Sequence, residues 1–385
     1  MPTTNAPPAR EIHDALIVGA GPAGLGVATH LARIGIDATV VDRDGVGASF
    51  LRWPEGMRLI TPSFTGNPFG AVDLNAITPD TSPALSLLEE HPTGEQYARY
   101  LQMVAKLEDL DVREDVAVTD VLPAAERDVD DPDLLAVEVG AGGPWWARTA
   151  VWAAGEFGYP RTDGFPGAER CIPTVDVRSW PTYPGEHVTV IGGYESGIDA
   201  AVNLVADDRQ VTVLDREAPW LEVDPDPSRT LSPYTRGRLR AAELTGRLTL
   251  LADAEVSGVT AVDQGYAVDT ADGRRVVSDA APLLAIGFEG SLTQVRHRFA
   301  FDERGHVELT EAADESTVMP GLYLAGPMLA HREAIFCFIY KFRQRAAVVA
   351  ADIARRLGVD PSPLEALREQ GFYLDDLTCC DDCAC

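Results

Sequence analysis

Lysine is almost absent from this 385-residue chain. Only Lys106 and Lys341 occur, and the rest of its 32 basic residues are arginine. Against them stand 60 acidic residues, for a net charge of -28. That balance excludes a protein that grips nucleic-acid backbones, which needs basic patches, and dispersed acidic charge reads as a solvated surface. No run of about 20 apolar residues occurs, so no membrane span is expected. The segment Met1–Arg10 lacks the apolar stretch of a secretory leader. Cysteine is missing from nearly the whole length: the first 378 residues carry only Cys171 and Cys337. The seven histidines, among them His13, His30, His187 and His331, are scattered and form no metal-ligand spacing.

What is present begins with size. A chain of 385 residues, 45% hydrophobic, is long enough for two or more domains with substantial cores. Residues 14–44 read as strand, glycine turn, helix, strand. Ala15-Leu16-Ile17-Val18 is a short buried strand, Gly19-Ala20-Gly21-Pro22-Ala23-Gly24 is a full G-x-G-x-x-G, and Leu25–Ile34 has helical apolar spacing. Thr39-Val40-Val41 is the next strand and ends at Asp42, followed by Arg43. In such a unit Gly19 permits the tight turn, Gly21 lets the backbone approach a pyrophosphate, and Gly24 lets the helix pack on the sheet. The helix start favours the phosphate charge, and Asp42 is expected to accept from ribose hydroxyls.

The pattern recurs. Val188-Thr189-Val190-Ile191 runs into Gly192-Gly193-Tyr194-Glu195-Ser196-Gly197, then a helix from Ile198 to about Ala206, then Val211-Thr212-Val213-Leu214 ending at Asp215 and Arg216. Gly19 to Asp42 and Gly192 to Asp215 are the same step. Tyr194 stands where the middle glycine should be, so its side chain must point away for a pyrophosphate to sit close. Two nucleotide sites are expected. Asp215 favours a free 2′-hydroxyl, hence NADH, while Arg216 offers a 2′-phosphate partner for NADPH; the reading leans to NADH.

Further strands end in glycine: Val151-Trp152-Ala153-Ala154-Gly155, Leu283-Leu284-Ala285-Ile286-Gly287, and Gly321-Leu322-Tyr323-Leu324-Ala325-Gly326-Pro327. A helix from about Arg332 to Leu357 should follow and offer its N-terminus to an anion. Asp115-Val116-Ala117-Val118 reads as a strand passing an adenine. The chain ends in Cys379-Cys380-Asp381-Asp382-Cys383-Ala384-Cys385. This vicinal pair with its C-x-x-C and C-x-C suits dithiol–disulfide exchange or a soft metal. Thiols so dense are expected in a reducing cytoplasm, and the neighbouring aspartates disfavour thiolates.

The order of these motifs resembles the flavoproteins with two dinucleotide-binding domains, a superfamily that includes thioredoxin reductase-like, bacillithiol disulfide reductase-like and flavin monooxygenase-like proteins. The resemblance implies an α/β fold: an FAD-binding Rossmann-like domain in two parts, 12–160 and 288–357, an inserted NAD(P)H-binding Rossmann-like domain, 161–287, and a cysteine-rich C-terminal tail, 358–385. It implies cofactor contacts at Gly155, at Gly287 and near Gly326, where Pro327 stands in place of the family's aspartate. Ser49-Phe50-Leu51-Arg52-Trp53 and Arg58–Ser63 resemble flavin-lining loops, and His331 would approach the flavin and move a proton. The chain departs from each subgroup. It has no C-x-x-C between 160 and 290, Ala23 replaces a cysteine of the first glycine turn, and Cys171 ends a Phe165-x-Gly167 motif that closes on histidine in monooxygenases.

The resulting expectation is an FAD- and NAD(P)H-dependent enzyme, homodimeric by resemblance. It reduces a disulfide or other thiol-reactive acceptor, small molecule or protein, through Cys379, Cys380, Cys383 and Cys385, with Gly358–Thr378 as the reach. The alternatives are a soft-metal site on the same four cysteines (Hg, Cu or Zn), a flavin monooxygenase, or a flavin redox sensor. Cys337, on an apolar stretch, reads as buried core, with closeness to the flavin, ten residues after Pro327, as the alternative.

Overall fold

A computed structural model describes residues 11–64, 72–224, 226–332 and 334–380. Cys383 and Cys385 lie outside the described residues, as do the thiol groups of Cys379 and Cys380. The first unit contains β1 (Ile12–Val18), α1 (Pro22–Arg33), β2 (Ala38–Val41), the short α2 (Ala48–Leu51) and α3 (Pro83–Leu87), α4 (Gly94–Leu107), β3 (Asp111–Arg113), β4 (Val118–Pro123), β5 (Leu135–Val139) and β6 (Trp145–Trp152). Its sheet runs β3-β2-β1-β6-β5-β4. The strands β3, β2, β1 and β6 are parallel. Ala15, Leu16 and Ile17 are wholly buried, which is why β1 reads as an unbroken apolar run rather than an alternation. Pro22 sits in the first turn of α1, where its missing N–H costs nothing. Thr93 and Gln96 close a reciprocal capping box on α4.

The second unit follows with β7 (Ile172–Pro173), β8 (His187–Ile191), α5 (Glu195–Ala206), β9 (Gln210–Leu214), α6 (Pro233–Glu243), β10 (Leu248–Leu251), the antiparallel β11 (Val256–Val262), β12 (Gly265–Thr270) and β13 (Arg275–Ser278), and β14 (Leu283–Leu284). The parallel sheet has the order β10-β9-β8-β14-β7. The chain then returns through β15 (Ala300–Phe301), β16 (Val307–Glu308), β17 (Leu322–Leu324), β18 (Ala330–His331), β19 (Ala334–Ile335) and α7 (Ile339–Leu357). β17 pairs with the C-terminal half of β6, beyond the residues that β5 occupies. One core accordingly draws on both ends of the chain, from Ala15 to Ala153 and from Leu292 to Leu377, while a separate core lies between Val177 and Leu283. The two connecting segments pair with each other: Arg161 N–H donates to Gly287 O, Glu289 N–H to Tyr159 O, and Ser291 N–H to Gly155 O.

Three local expectations are corrected. Residues 115–117 are not strand: β4 begins at Val118, because Asp115 takes a left-handed backbone and Val116 N–H is drawn to Asp42 O. The last helix begins at Ile339, not near Arg332, since the β18–β19 hairpin turns first and Phe338 is extended. Residues 358–378 are no free tether. Leu364, Phe372 and Leu377 are buried in the first core, Arg343 lies 4.2 Å over the Phe372 ring, and Arg345 Nη1 donates to Leu374 O at 2.5 Å. The tail is docked against α7 up to the turn Leu377–Cys380.

Phe372→Ala is expected to cost about 3–5 kcal/mol of unfolding free energy, measured by guanidinium titration. An unchanged midpoint would show that the tail segment is not part of the core.

Candidate active site

The first glycine turn is shaped by close approach. A Cβ on Gly19 would run into Ala153 O, and one on Gly24 into Gly19 O. At Gly21 a Cβ would meet nothing within 4 Å, so that backbone is bare toward a cavity. The second turn repeats the first. A Cβ on Gly192 would strike Ala285 O and one on Gly197 would strike Gly192 O. The two strand-end acids do the same work in each half. Asp42 accepts from Ala20 N–H at 2.8 Å, Asp44 N–H at 2.8 Å and Gly45 N–H at 2.9 Å. Asp215 accepts from Gly193 N–H at 2.7 Å, Glu217 N–H at 2.7 Å and Ala218 N–H at 3.0 Å. Both carboxylates thus hold their glycine turns in place.

A cavity of about 580 Å³ opens along the C-terminal ends of the strands, where ligands of open α/β sheets sit. It is met by the N-termini of three helices: α1 at Pro22 and Ala23, α5 at Glu195 and Ser196, and α7 at Ile339. The first-turn N–H groups of a helix have no acceptor within it, and its positive end favours anions. In a chain of net charge -28 these ends, with Arg43 and Arg52, are what a multiply anionic ligand can use. From the first fingerprint, Gly19, Gly21, Asp42 and Arg43 line it. Ser49, Phe50 and Trp53 line it too, with the Phe50 ring 4.9 Å from Trp53 and 4.8 Å from Tyr97. Val116, Ala154, Gly155, Gly287 and Pro327 complete that side. Gly24 and Gly326 lie behind it: Gly326 packs on Ala23. The bare turn, the helix ends and the length of the cavity fit a dinucleotide.

The second fingerprint is more filled. The Trp220 ring lies where a Gly193 side chain would be. Tyr194 does point away, its hydroxyl donating to Thr230 O at 2.9 Å. Glu195 turns to α6, accepting from Ser232 N–H and Thr235 Oγ1–H at 2.5 Å each, and burial raises its pKa. Tyr194, Glu195, Ser196 and Asp199 reach the cavity, whereas Gly192, Gly193, Asp215 and Arg216 do not line it. Arg216 is exposed and paired with Glu217 at 3.1 Å.

His331 does not line the cavity. Its Nε2 lies 2.5 Å from Asp314 Oδ1, and Asp314 also accepts from Arg345 at 3.0 and 2.8 Å. All three are buried, so His331 is tied into an ion network of the core rather than poised over a ligand. Cys171 is half-buried, and burial, with Glu169 behind it, pushes its thiol up to about 12. Among the described residues no group of three His, Cys, Asp or Glu is placed to hold a metal, and no helix is long and apolar enough to cross a membrane.

Glu156 escaped the sequence reading. Directly after Gly155, it has no hydrogen bond or ion pair to its carboxyl among the described residues, and burial pushes it up to about 7. Cys337 is exposed to the cavity, not buried core, because it precedes α7 in extended chain. Adjacency to a glycine at a strand end was a usable signal for Glu156, and for Cys337 the signal was its spacing of ten residues from Pro327.

Gly21→Val should leave folding intact while abolishing dinucleotide binding, whereas Gly193→Ala should destabilise the second unit by driving a methyl into Trp220. Calorimetric melting and cofactor content of the purified variants separate these outcomes. Glu156 supplies a pH signature. Folded, it keeps its proton to about pH 7; unfolded, it loses it near 4.5. The native state then binds more protons in this window, so its contribution to stability falls as pH rises. Glu156→Gln should remove that decline in urea titrations of the cofactor-free protein between about pH 5 and 8.

Comparison with known proteins agrees with this architecture. The family model for pyridine nucleotide-disulphide oxidoreductases matches residues 16–326. Bacilliredoxin reductase Bdr of Bacillus subtilis (strain 168) is 24% identical over 352 residues, covering 89% of this chain and 98% of the relative. The solved bacillithiol disulfide reductase Bdr (YpdA) from Staphylococcus aureus superposes with a TM-score of 0.71 at 20% identity, over 90% of this chain and 99% of that one. A flavin-containing monooxygenase from Stenotrophomonas maltophilia gives 0.69 at 17% identity, over 90% and 99%. With two pinned glycine turns facing one cavity and a family match over most of its length, this chain belongs to the pyridine nucleotide-disulphide oxidoreductases, a family of enzymes.

Proposed function

We propose that this oxidoreductase passes electrons from a reduced nicotinamide dinucleotide, through FAD, to a disulfide or other thiol-reactive acceptor. The observation that carries the proposal is the single cavity joining the helix ends of both fingerprints. In this reading the first fingerprint would hold FAD: Gly21 and the start of α1 would take its pyrophosphate, Val116 would meet its adenine side, and Gly155 and Pro327 would border its redox-active end. The flavin supplies the two-electron chemistry. The chain excludes water with Phe50, Trp53 and Phe338 and offers the start of α7 to developing negative charge. The nicotinamide nucleotide takes the start of α5 at Tyr194, Glu195 and Ser196. NADH is the favoured donor, because the acid Asp215 follows the end of β9, as suits a free 2′-hydroxyl, and Arg216 is engaged by Glu217.

The acceptor class follows the names of the relatives, a bacilliredoxin reductase and a bacillithiol disulfide reductase. The four tail cysteines are the second redox centre of the proposal, and a homodimer is its expected state.

Anaerobic titration of the oxidised holoprotein with NADH and, separately, NADPH tests it, following the flavin spectrum and free thiols. Uptake beyond one two-electron equivalent per flavin, with matching new thiols, is expected, at lower concentrations of NADH. Bleaching at one equivalent without new thiols would remove the disulfide centre.

A further inference from the structure

A disulfide reductase needs a thiol where electrons arrive, and this chain has none in its glycine turns. Cys337 occupies the cavity wall instead. Its Sγ–H donates to Ser228 Oγ at 3.2 Å. The same oxygen accepts from Lys341 Nζ at 2.8 Å, and Lys341 also pairs with Asp226 at 2.6 Å. Thiol, hydroxyl and ammonium thus stand in a row, with Ser228 contributed by the second unit and the other two by the first. Lys341 is one of two lysines in the chain. Once the thiol loses its proton, the Ser228 hydroxyl can turn and donate to the thiolate with the ammonium charge behind it, an arrangement that favours the anion. Burial, foremost, holds the thiol's pKa above its ordinary value, with Glu156 and Asp226 adding to the rise, and Ser228 and Lys341 are the groups that oppose it. A second polar group of the cavity, the Glu156 carboxyl, has no hydrogen bond or ion pair among the described residues. Unlike Cys171, Cys337 is open to a ligand.

We infer that Cys337 is the nucleophilic thiol that attacks the acceptor disulfide in the cavity, with Ser228 and Lys341 stabilising its thiolate; this rests on the disulfide-reductase reading above. The Cys337 thiolate attacks one sulfur of R–S–S–R′. The S–S bond breaks, a Cys337–S–R bond forms, and R′S⁻ leaves and takes up a proton. Two electrons from the nicotinamide, delivered through the bound flavin, then cleave the Cys337–S–R bond, releasing RSH and restoring the thiol. In sum, NAD(P)H, H⁺ and RSSR′ give NAD(P)⁺, RSH and R′SH. The disulfide is either external or formed by the tail cysteines.

The test uses oxidised holoenzyme carrying Cys379→Ser, Cys380→Ser, Cys383→Ser and Cys385→Ser, with 4,4′-dithiodipyridine as the probe disulfide. Peptide mass mapping should find the thiopyridyl adduct on Cys337. NADH or NADPH should discharge it with release of thiopyridone. Cys171→Ser should retain the adduct, Cys337→Ser should lose both adduct and probe turnover, and Ser228→Ala should slow adduct formation. In the chain with its tail cysteines intact, a Cys337–tail disulfide in the same map would identify the tail as the source; its absence with external turnover would identify a separate molecule. The inference is overturned if Cys337 stays unlabelled, if its adduct survives flavin reduction, or if Cys337→Ser turns over the probe at full rate. That last outcome leaves the disulfide reading standing. Failure of the unmodified holoenzyme to reduce any disulfide while its flavin bleaches removes both.

Discussion

In each half of the chain a glycine Cα passes so close to a glycine carbonyl, five residues earlier, that no side chain fits between them. This steric constraint sets how each first helix starts against its sheet, and the rest of the site depends on it. Because α1 and α5 begin hard against the strand ends, their unsatisfied N–H groups face the same hollow. Asp42 and Asp215 fix the arrangement by bonding equivalent backbone N–H groups in the two units. The units nonetheless diverge in what they leave open. The first turn is bare at Gly21, while Trp220 and the folded-back Glu195 fill the second. The same fingerprint thus yields an extended seat in one unit and a more restricted one in the other.

The units meet through few side chains. Arg178 donates to Leu51 O, and Glu55 N–H donates to Arg178 O. His91 stacks on Tyr234 at 4.0 Å, and Lys341 reaches Asp226 and Ser228. The two connecting segments run paired between them. Polar contacts near the surface, such as that of Arg178, are individually weak, so the relative placement of the units rests also on the part-buried Lys341–Asp226 pair and on the short paired neck. The row of Cys337, Ser228 and Lys341 exists only where the units touch. The first core is anchored differently. Asp314, Arg345 and His331 form a buried polar network that joins the β18–β19 hairpin to α7 and, through Leu374, to the tail. The buried Asp314 carboxylate is paired with the Arg345 guanidinium, and His331 is bonded to the same carboxylate.

Much of this was legible in the sequence. The two strand–turn–helix–strand units, their glycines and their acids lie as read, because they depend on contacts within about thirty residues and on sterics local to each turn. The loops around Phe50 and Trp53 were read from their resemblance to flavin-lining loops, and they line the cavity. The helix near Arg332 was misplaced, because its apolar spacing continues through a hairpin that pairs only two residues on each side. The segment Gly358–Thr378 reads as a reach because it follows the last helix toward a terminus, where order is commonly lost. Phe372 and Leu377 bury themselves against α7 nonetheless, a non-local gain that composition does not reveal.

The sequence by itself determined the family, the two nucleotide units and the phosphate-facing turns, since a glycine that must admit a backbone neighbour leaves a fixed local spacing. Only the tertiary structure decided which polar groups converge on the cavity. Glu156, Ser228, Cys337 and Lys341 are brought together across up to 185 positions of chain, by the return of the last segment to the first core. No local pattern encodes that meeting, because it is set by how two separately packed cores sit against each other.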